Sequence, residues 1–459
     1  MVEKLQKSLR DSATARWSVL ALVSVTMMCA YFITDVMAPL ETIILKAQES
    51  GGLGWTPSEY GLFTGAYGWF NVFLFMLFLG GIVLDKLGIR LTGVLSCALM
   101  VVGTFIKYYA FSDAFPMDAA PIMGINARVL IAGVGFGIFG MGAEICGITV
   151  SKAVVKWFTG KELALALGLQ VAVARIGTAA ALTFSAGIAS SFGDISMPVL
   201  FGVFGLCIGL MFFIAYGIMD YRLDKQERMA GTADDEDGFK LSDIKVVFQS
   251  KGFWLIAFLC LLFYSGVFPF LKYATNMMIN KYGVSAEWAG TIPSLLPFGT
   301  ILLTPLFGSL YDRVGKGASL MMIGSALLLV VHIFFALPMI DSAWFAIANM
   351  ILLGISFSLV PSAMWPSVPK IIPQKQLGTA YALIFYVQNI GLMLVPMLIG
   401  WVIGEFAVDA ENLGAGDYTL PMGIFAVFGV VAVLLSWGLK KMDAKKGYGL
   451  ESPNIKRDI

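Results

Sequence analysis

The sequence predicts an all-α membrane protein in which twelve transmembrane helices form two pseudo-symmetric bundles of six. Three observations lead to this prediction: an apolar composition, twelve apolar runs, and two sequence matches between the halves of the chain. Of the 459 residues, 58% are hydrophobic and only 13% are charged, and the mean hydropathy is +0.82. This composition is typical of a chain that spans a bilayer many times.

The apolar runs are each about 20 residues long, which is enough for a helix to cross a bilayer. They fall near residues 17–40, 60–82, 91–111, 126–151, 163–189, 197–219, 252–272, 287–310, 318–338, 343–365, 377–404 and 420–439. We therefore divide the chain into an N-terminal tail, a first bundle, a linker, a second bundle and a C-terminal tail, at residues 1–16, 17–219, 220–251, 252–440 and 441–459.

The positive charges indicate the orientation of these spans. Most of the 31 Lys and Arg residues fall in the two tails, in the linker and in alternate loops. The positive-inside rule then places both termini and the linker in the cytoplasm. The net charge of +1 gives no bias towards nucleic acid, so the expected surroundings are the lipid bilayer. The acidic run at residues 234–237 is expected to be solvated and flexible.

Several other site types are not expected. The five cysteines lie inside apolar spans without paired spacing, so neither a disulfide framework nor a metal site is indicated. Gly135, Gly137 and Gly140 match a dinucleotide fingerprint by letter, but they lie within one apolar span, where small residues serve helix packing. No cluster of nucleophile, base and metal ligands appears, so we expect no cofactor and no enzyme activity.

Two charged residues, Glu144 and Arg175, lie deep in the fourth and fifth spans. Each is thirteen residues from the polar turn that runs from Trp157 to Glu162, so both are expected at the same depth, roughly 20 Å from the turn. Ionised groups at such depth usually face a partner or a water-filled cavity. We expect the two to face each other and to pair when no substrate is bound. The alternative is a purely structural ion pair between helices.

The first two spans offer further polar candidates. Tyr31 and Asp35 lie in the first span, and Asp35 is either a solvated carboxylate at the outer mouth or a substrate or gating residue. The second span contains Tyr67, Trp69 and Asn71. Such aromatic and amide side chains suit a pocket wall and interhelical packing equally well.

The second half of the chain has its own candidates. The seventh span carries Tyr264, a Pro269 that should break the helix, and Lys272. For Lys272 we favour a lysine that snorkels to the outer interface over a substrate contact. For the only histidine, His332 in the ninth span, we favour packing over a proton relay. Trp365 precedes a proline in the tenth span.

Two matches relate the halves of the chain. GIVLDKLGIR at residues 81–90 and GSLYDRVGKG at 308–317 have the same pattern and resemble the inter-helix loop signature of the major facilitator superfamily. The resemblance implies a cytoplasmic gating role for the charged residues Asp85, Arg90, Asp312 and Arg313. Residues 161–177 also align with 375–391 at a constant offset, so Arg175 and Asn389 occupy equivalent positions in the two halves and are expected to face a central cavity. Such repeats predict a site between the two bundles.

Within that superfamily, three segments closely resemble the lysosomal dipeptide transporters. They are WFTGKELALALGLQVAVARIG, AMWPSVPKIIPQKQLGTAYALIFYVQNIGL and YSGVFPF. The resemblance implies facilitated diffusion of dipeptides, with Glu144 and Arg175 as the acid and the arginine of the central cavity. Asp35, Tyr264, Trp365 and Asn389 fall on similar local motifs.

The sequence departs from that family in two respects. The N-terminal tail shows no acidic dileucine signal, so a plasma or bacterial inner membrane is expected in preference to the lysosome, and an accessory glycoprotein partner is not expected. Lys272 is an additional cation, which would alter the preference for cationic dipeptides.

We therefore expect a uniporter for dipeptides or similar zwitterions that rocks its bundles about a midplane site. Glu144 would hold the ammonium group and Arg175 the carboxylate. One alternative is a small-anion exchanger or symporter with Arg175 and Lys272 as the anion site and Glu144 as a gate. The other is a non-transporting membrane sensor or assembly subunit.

Overall fold

A computed structural model describes residues 9–116, 119–159, 161–230, 241–373, 376–409 and 412–454 of the chain. Within these residues, eleven helices are long and apolar enough to cross a membrane. A bent pair, Pro57–Phe73 and Met76–Leu84, makes a twelfth span. The predicted all-α fold with twelve spans is thus confirmed. The acidic run at residues 234–237 lies outside the described residues.

The first six spans form the N-terminal bundle. Their helices are Ala13–Asp35, then Pro57–Gly65 with Trp69–Phe73, then Met76–Phe111, Ala127–Phe158, Leu163–Phe192 and Met197–Ala230. The helix Met76–Phe111 contains the inner end of the second span and all of the third. Gly88, with φ of 75°, turns the chain between them, a backbone conformation that favours glycine. A short helix, Glu41–Leu45, follows the first span, and short 3-10 turns lie at Leu9–Asp11, Ala38–Leu40, Gln48–Ser50 and Ala66–Gly68.

The last six spans form the C-terminal bundle, which begins after the linker helix Leu241–Phe248. Its helices are Lys251–Ser265 with Phe268–Asn280, then Thr291–Val314, Gly317–Ala336, Ala343–Ile371, Leu377–Val402 and Thr419–Lys446. A short helix, Ala286–Ala289, precedes the eighth span. A π-helical turn, Ile403–Ala407, and two short antiparallel strands, Val408–Asp409 and Asn412–Gly416, connect the last two spans.

The seventh span is broken where the sequence predicts it. Its first helix ends at Ser265 and its second begins at Phe268, immediately before Pro269, as expected for a residue without an N–H. The break frees the carbonyl of Gly266, and Nε2 of His332 lies 2.7 Å from that oxygen. His332 is fully buried and stacks on Phe425. These contacts support a packing role for His332.

Glycines allow the helices of the N-terminal bundle to approach closely. A Cβ on Gly135 would lie 2.7 Å from the carbonyl oxygen of Gly103, and one on Gly140 would lie 2.2 Å from that of Tyr67. A Cβ on Gly137 would meet the second span in the same way. The three glycines of the apparent dinucleotide fingerprint thus serve helix packing, as expected.

The two bundles pack closely against each other at one side of the molecule. An even number of spans places both chain ends on the same side, which we call inner, and the opposite side outer. At the outer side, a Cβ on Gly61 would lie 2.6 Å from the carbonyl oxygen of Pro396, and one on Gly290 would lie 2.0 Å from that of Leu182. The second span therefore packs on the eleventh and the fifth on the eighth. The outer side is closed.

Candidate functional site

Glu144 projects from the fourth span towards the second and the eleventh. Its Oε1 atom accepts a hydrogen bond of 2.8 Å from the hydroxyl of Tyr67. Asn389, from the C-terminal bundle, lies next to the same carboxylate. The Nδ2 group of Asn71 donates to Oδ1 of Asn389 over 3.2 Å. Polar side chains from the second and eleventh spans, one in each bundle, thus contact the carboxylate of Glu144.

Arg175 projects from the fifth span into a set of aromatic rings. Its guanidinium carbon lies 5.4 Å from the ring centre of Tyr31, 5.1 Å from that of Phe268 and 5.2 Å from that of Phe357. Such cation–π contacts offset part of the cost of burying the cation. Among the residues that the structure describes, no acceptor forms a hydrogen bond or ion pair with Arg175, whose exposure is 9%. Its five N–H donors are free for a ligand.

Glu144 and Arg175 do not form the ion pair that the sequence predicts. No described contact of 4.0 Å or less joins the two side chains, although Tyr31 lies within electrostatic range of both. The reason is local: Tyr67 satisfies the carboxylate, and the three aromatic rings hold the guanidinium. An acid and a cation therefore both lie near Tyr31 without forming an ion pair with each other.

Tyr264 and Trp365 extend the aromatic wall beside Arg175. The indole N–H of Trp365 donates to the hydroxyl of Tyr264 over 3.0 Å. The Tyr264 ring packs on Phe357 at 5.6 Å between centres, and Trp365 stacks on Phe385 at 5.0 Å. Because Phe357 also contacts Arg175, these rings are continuous with the site. Trp69 differs, since its ring lies 3.0 Å from where a Cβ on Gly133 would be, and it packs between helices.

Asp35 and Lys272 form a buried ion pair between the bundles. The distance from Nζ of Lys272 to Oδ1 of Asp35 is 2.6 Å, and the amine also donates to the carbonyl of Thr34 over 2.6 Å. Their exposures are 3% and 8%. Neither a solvated carboxylate nor a snorkelling lysine describes them, and both of those expectations are wrong. Each residue is buried because it supplies the counter-charge of the other.

Lys107 is a second buried lysine in this region, and it was not among the predicted residues. It lies in the third span with an exposure of 1%, and its amine donates to the carbonyl of Ile33 over 3.2 Å. The amine also lies 4.2 Å from the ring centre of Phe136. The position of Lys107 inside the third apolar run could have identified it, because an ionisable residue within a membrane span is a candidate functional residue.

The inner loops carry polar networks within each bundle. Arg90 lies 3.0 Å from Asp224 and 3.8 Å from Asp220 of the sixth span. Asp220 also accepts hydrogen bonds from the indole of Trp157 and lies 2.8 Å from the amine of Lys156. These contacts tie the second-to-third loop to the fourth and sixth spans of the same bundle.

The corresponding loop of the C-terminal bundle contacts the C-terminal tail. Asp312 accepts a hydrogen bond of 2.7 Å from Asn454, and Arg313 is exposed. The side chain of Asp85 lies outside the described part of the structure. The gating role of Asp85, Arg90, Asp312 and Arg313 stays a prediction.

The turn between the fourth and fifth spans is tied to the start of the first. Arg16 lies 3.2 Å from Oε2 of Glu162. The pKa of Glu162 is lowered by a hydrogen bond between its carboxylate and the backbone of Glu162 itself, and also by the guanidinium of Arg16. Glu162 is solvent-exposed, so this pair contributes little to stability. Elsewhere in the described residues, no group of three or more His, Cys, Asp or Glu is placed to hold a metal ion.

Comparison with known proteins identifies relatives of this chain. The sequence pattern of the Major Facilitator Superfamily matches residues 20–396 and 278–452. The human lysosomal dipeptide transporter MFSD1 is 30% identical over 390 residues, which cover 82% of this chain and 77% of that protein. A hexuronate transporter of Bacillus subtilis is 24% identical over 78% of this chain and 81% of its own length.

A solved structure shares the fold at much lower sequence identity. The crystal structure of the nucleoside transporter NupG has a TM-score of 0.69 and 15% identity, and the match covers 92% of this chain and 99% of that one. This similarity concerns the fold alone.

Proposed function

Since this chain belongs to the major facilitator superfamily, and is therefore a multi-pass secondary transporter of a small molecule and not an enzyme, we propose that its substrates are dipeptides. One observation carries the proposal: Glu144 and Arg175 both lie within electrostatic range of Tyr31 but form no ion pair with each other. A free dipeptide has an ammonium group at one end and a carboxylate at the other. The site offers one complementary charge for each.

Each residue of the site is suited by its chemistry to a different part of a dipeptide. The planar guanidinium of Arg175, held by aromatic rings, presents a pair of N–H donors that match the two oxygens of a carboxylate. Glu144 accepts a hydrogen bond from Tyr67 and provides the carboxylate that suits an ammonium group. Asn389 lies next to Glu144 and is bonded to Asn71, so it places a neutral hydrogen-bonding group beside the carboxylate. Tyr264 and Trp365 line the side of Arg175 with apolar surface.

We propose uniport because a zwitterion brings no net charge into the site. Glu144 and Arg175 keep their own charges in balance whether or not substrate is present, so no coupled ion is required to move between conformers. Transport then follows the concentration gradient of the dipeptide. The bundles rock about the site, and the closed outer side of this structure is one end of that cycle.

The orientation in the membrane belongs to the same proposal. We assign the inner side to the cytoplasm, because the tails, the linker and alternate loops hold most of the Lys and Arg residues. We place the protein in a cell membrane. Accessibility of a tag at each end of the chain in intact cells, compared with permeabilised cells, tests the orientation.

A carboxylate-bearing sugar acid is the second candidate substrate. It is supported by the free guanidinium of Arg175 and by the similarity to the hexuronate transporter. Lys272 does not contribute to such an anion site in this conformer, because its amine is bound to Asp35. The two candidates differ in Glu144, since a simple anion has no ammonium group for it to bind.

Uptake by reconstituted liposomes tests the proposal. We expect uptake of a labelled dipeptide, with a loss of at least tenfold in both Glu144→Gln and Arg175→Ala. Glu162→Gln and Arg222→Ala are matched controls, because both change exposed residues by the same chemistry. Uptake of a hexuronate that needs Arg175 but not Glu144, without dipeptide uptake, would overturn the proposal in favour of the second candidate.

A further inference from the structure

Glu41 is a buried acid that the proposed transport cycle does not use. It begins the short helix Glu41–Leu45 at the outer end of the first span, and its exposure is 1%. Its Oε2 atom is sealed from solvent and has no hydrogen-bond partner. No described cation forms an ion pair with it. An ionised carboxylate in such a position costs several kcal/mol, whereas a neutral acid does not carry that cost.

The groups around Glu41 do not stabilise an anion. Tyr60, Tyr273 and Tyr418 lie within electrostatic range of its carboxyl. Each hydroxyl has one proton, and each donates it elsewhere. Tyr60 donates to the carbonyl of Lys272 over 3.1 Å, Tyr273 donates to that of Pro396 over 2.6 Å, and Tyr418 donates to the side chain of Asn276.

The nearby cations are also committed or remote from Glu41. The amine of Lys272, one residue before Tyr273, is bound to Asp35 and to the carbonyl of Thr34. Lys46, at the end of the same short helix, is exposed. The 3-10 turn Ala38–Leu40 and the strand Asn412–Gly416, which also pack near this helix, contain no ionisable residue type. Nothing described offsets a negative charge on Glu41 while the outer side is closed.

We propose that Glu41 is a proton-binding site that couples closure of the outer side to uptake of one proton from the outer solution. Glu41 and Tyr60 belong to the N-terminal bundle, whereas Tyr273 and Tyr418 belong to the C-terminal bundle. Separation of the bundles at the outer side moves the last two away and admits water. The carboxylic acid then releases its proton to the outer solution, and closure requires the carboxylate to take one up again.

This site regulates the cycle without driving it. The proton leaves and returns on the same side of the membrane, so no net proton crosses and uniport is preserved. The inference depends on the closed outer side and not on the identity of the substrate. In water a glutamate has a pKa of about 4.3, so above that pH the ratio of closed to open protein should fall by up to about tenfold per pH unit.

The distance between spin labels at Ser191 and Glu287 measures this equilibrium without any substrate. Both residues are exposed and lie at the outer ends of opposite bundles. In the wild-type background the short distance should gain population as the pH falls from 8 to 5. In Glu41→Gln, a neutral side chain of the same shape, the short distance should dominate at every pH. Glu49→Gln, which changes an exposed acid of the same outer loop, should keep the pH dependence.

Two results would overturn the proposal. One is a wild-type distance distribution that does not change with pH, and the other is a pH dependence that survives in Glu41→Gln. Glu41→Met serves as a second neutral variant. Since a neutral side chain is what the closed state holds, both variants should fold with melting temperatures no lower than the wild type at pH 8. Failure of both to fold would contradict the proposal as well.

Discussion

The amine of Lys272 lies 2.6 Å from a carboxylate oxygen of Asp35, across the boundary between the two bundles. Both side chains are buried, and the same amine reaches the carbonyl of Thr34. Because the first and seventh spans belong to different bundles, outward opening must break this pair. We therefore expect the pair, together with the hydrogen bond from Tyr60 to the carbonyl of Lys272, to stabilise the closed outer side.

Replacing Lys272 by Met should weaken the closed state. The change leaves Asp35 buried without its partner, and breaking a buried pair in this way costs about 3–5 kcal/mol. The label pair at Ser191 and Glu287 should shift to the longer distance, because only the closed conformer is destabilised. The double variant Asp35→Asn with Lys272→Met removes both charges and should recover part of the short-distance population. An unchanged distribution in Lys272→Met would show that the pair does not hold the gate.

Gly290→Ala should also favour outward opening. A Cβ there would lie 2.0 Å from the carbonyl oxygen of Leu182, which is backbone of the opposite bundle and cannot move aside. The clash exists only while the outer side is closed. Gly299→Ala is the matched control in the same span, because its nearest neighbour would be a Leu303 side chain at 3.9 Å. Equal label distances in the two variants would contradict the packing described here.

Asp220→Asn should lower the melting temperature of the protein. Asp220 is 2% exposed and contacts Lys156, Arg90 and the indole of Trp157. Arg90 and Lys156 keep Asp224 as a partner, so the loss should be that of hydrogen bonds to a charged group, about 1–3 kcal/mol. Asp224→Asn should cost less, since that side chain is 23% exposed. Thermal unfolding in detergent measures both, and equal losses would argue against a buried network centred on Asp220.

Much of the fold follows from the sequence because the bilayer imposes simple rules. A span needs about 20 apolar residues whatever it packs against, so the twelve spans could be placed one at a time. Pro269 predicted the break in the seventh span, because proline has no backbone N–H to donate within a helix. The bend of 57° in the second span was not predicted, because Phe75 adopts a positive φ there and aromatic residues give no such signal.

The site was predictable as a set of residues but not as a set of contacts. The cost of burying charge singled out Glu144 and Arg175 without knowledge of their partners. Their separation depends on Tyr67, on Phe268 and on Phe357, which come from other spans. The pairing of Asp35 with Lys272 links positions more than two hundred residues apart. Lys107 and Glu41 are also buried ionisable residues, and neither of them was identified from the sequence.

Thermal stabilisation by candidate ligands tests the dipeptide site most directly. A ligand at one hundred times its dissociation constant stabilises the folded state by about 2.7 kcal/mol. We expect dipeptides, but neither single amino acids nor small organic anions, to raise the melting temperature of the purified protein. The rise should disappear in both Glu144→Gln and Arg175→Ala and persist in Glu162→Gln. Stabilisation by anions alone, or by dipeptides equally in all variants, would contradict the account.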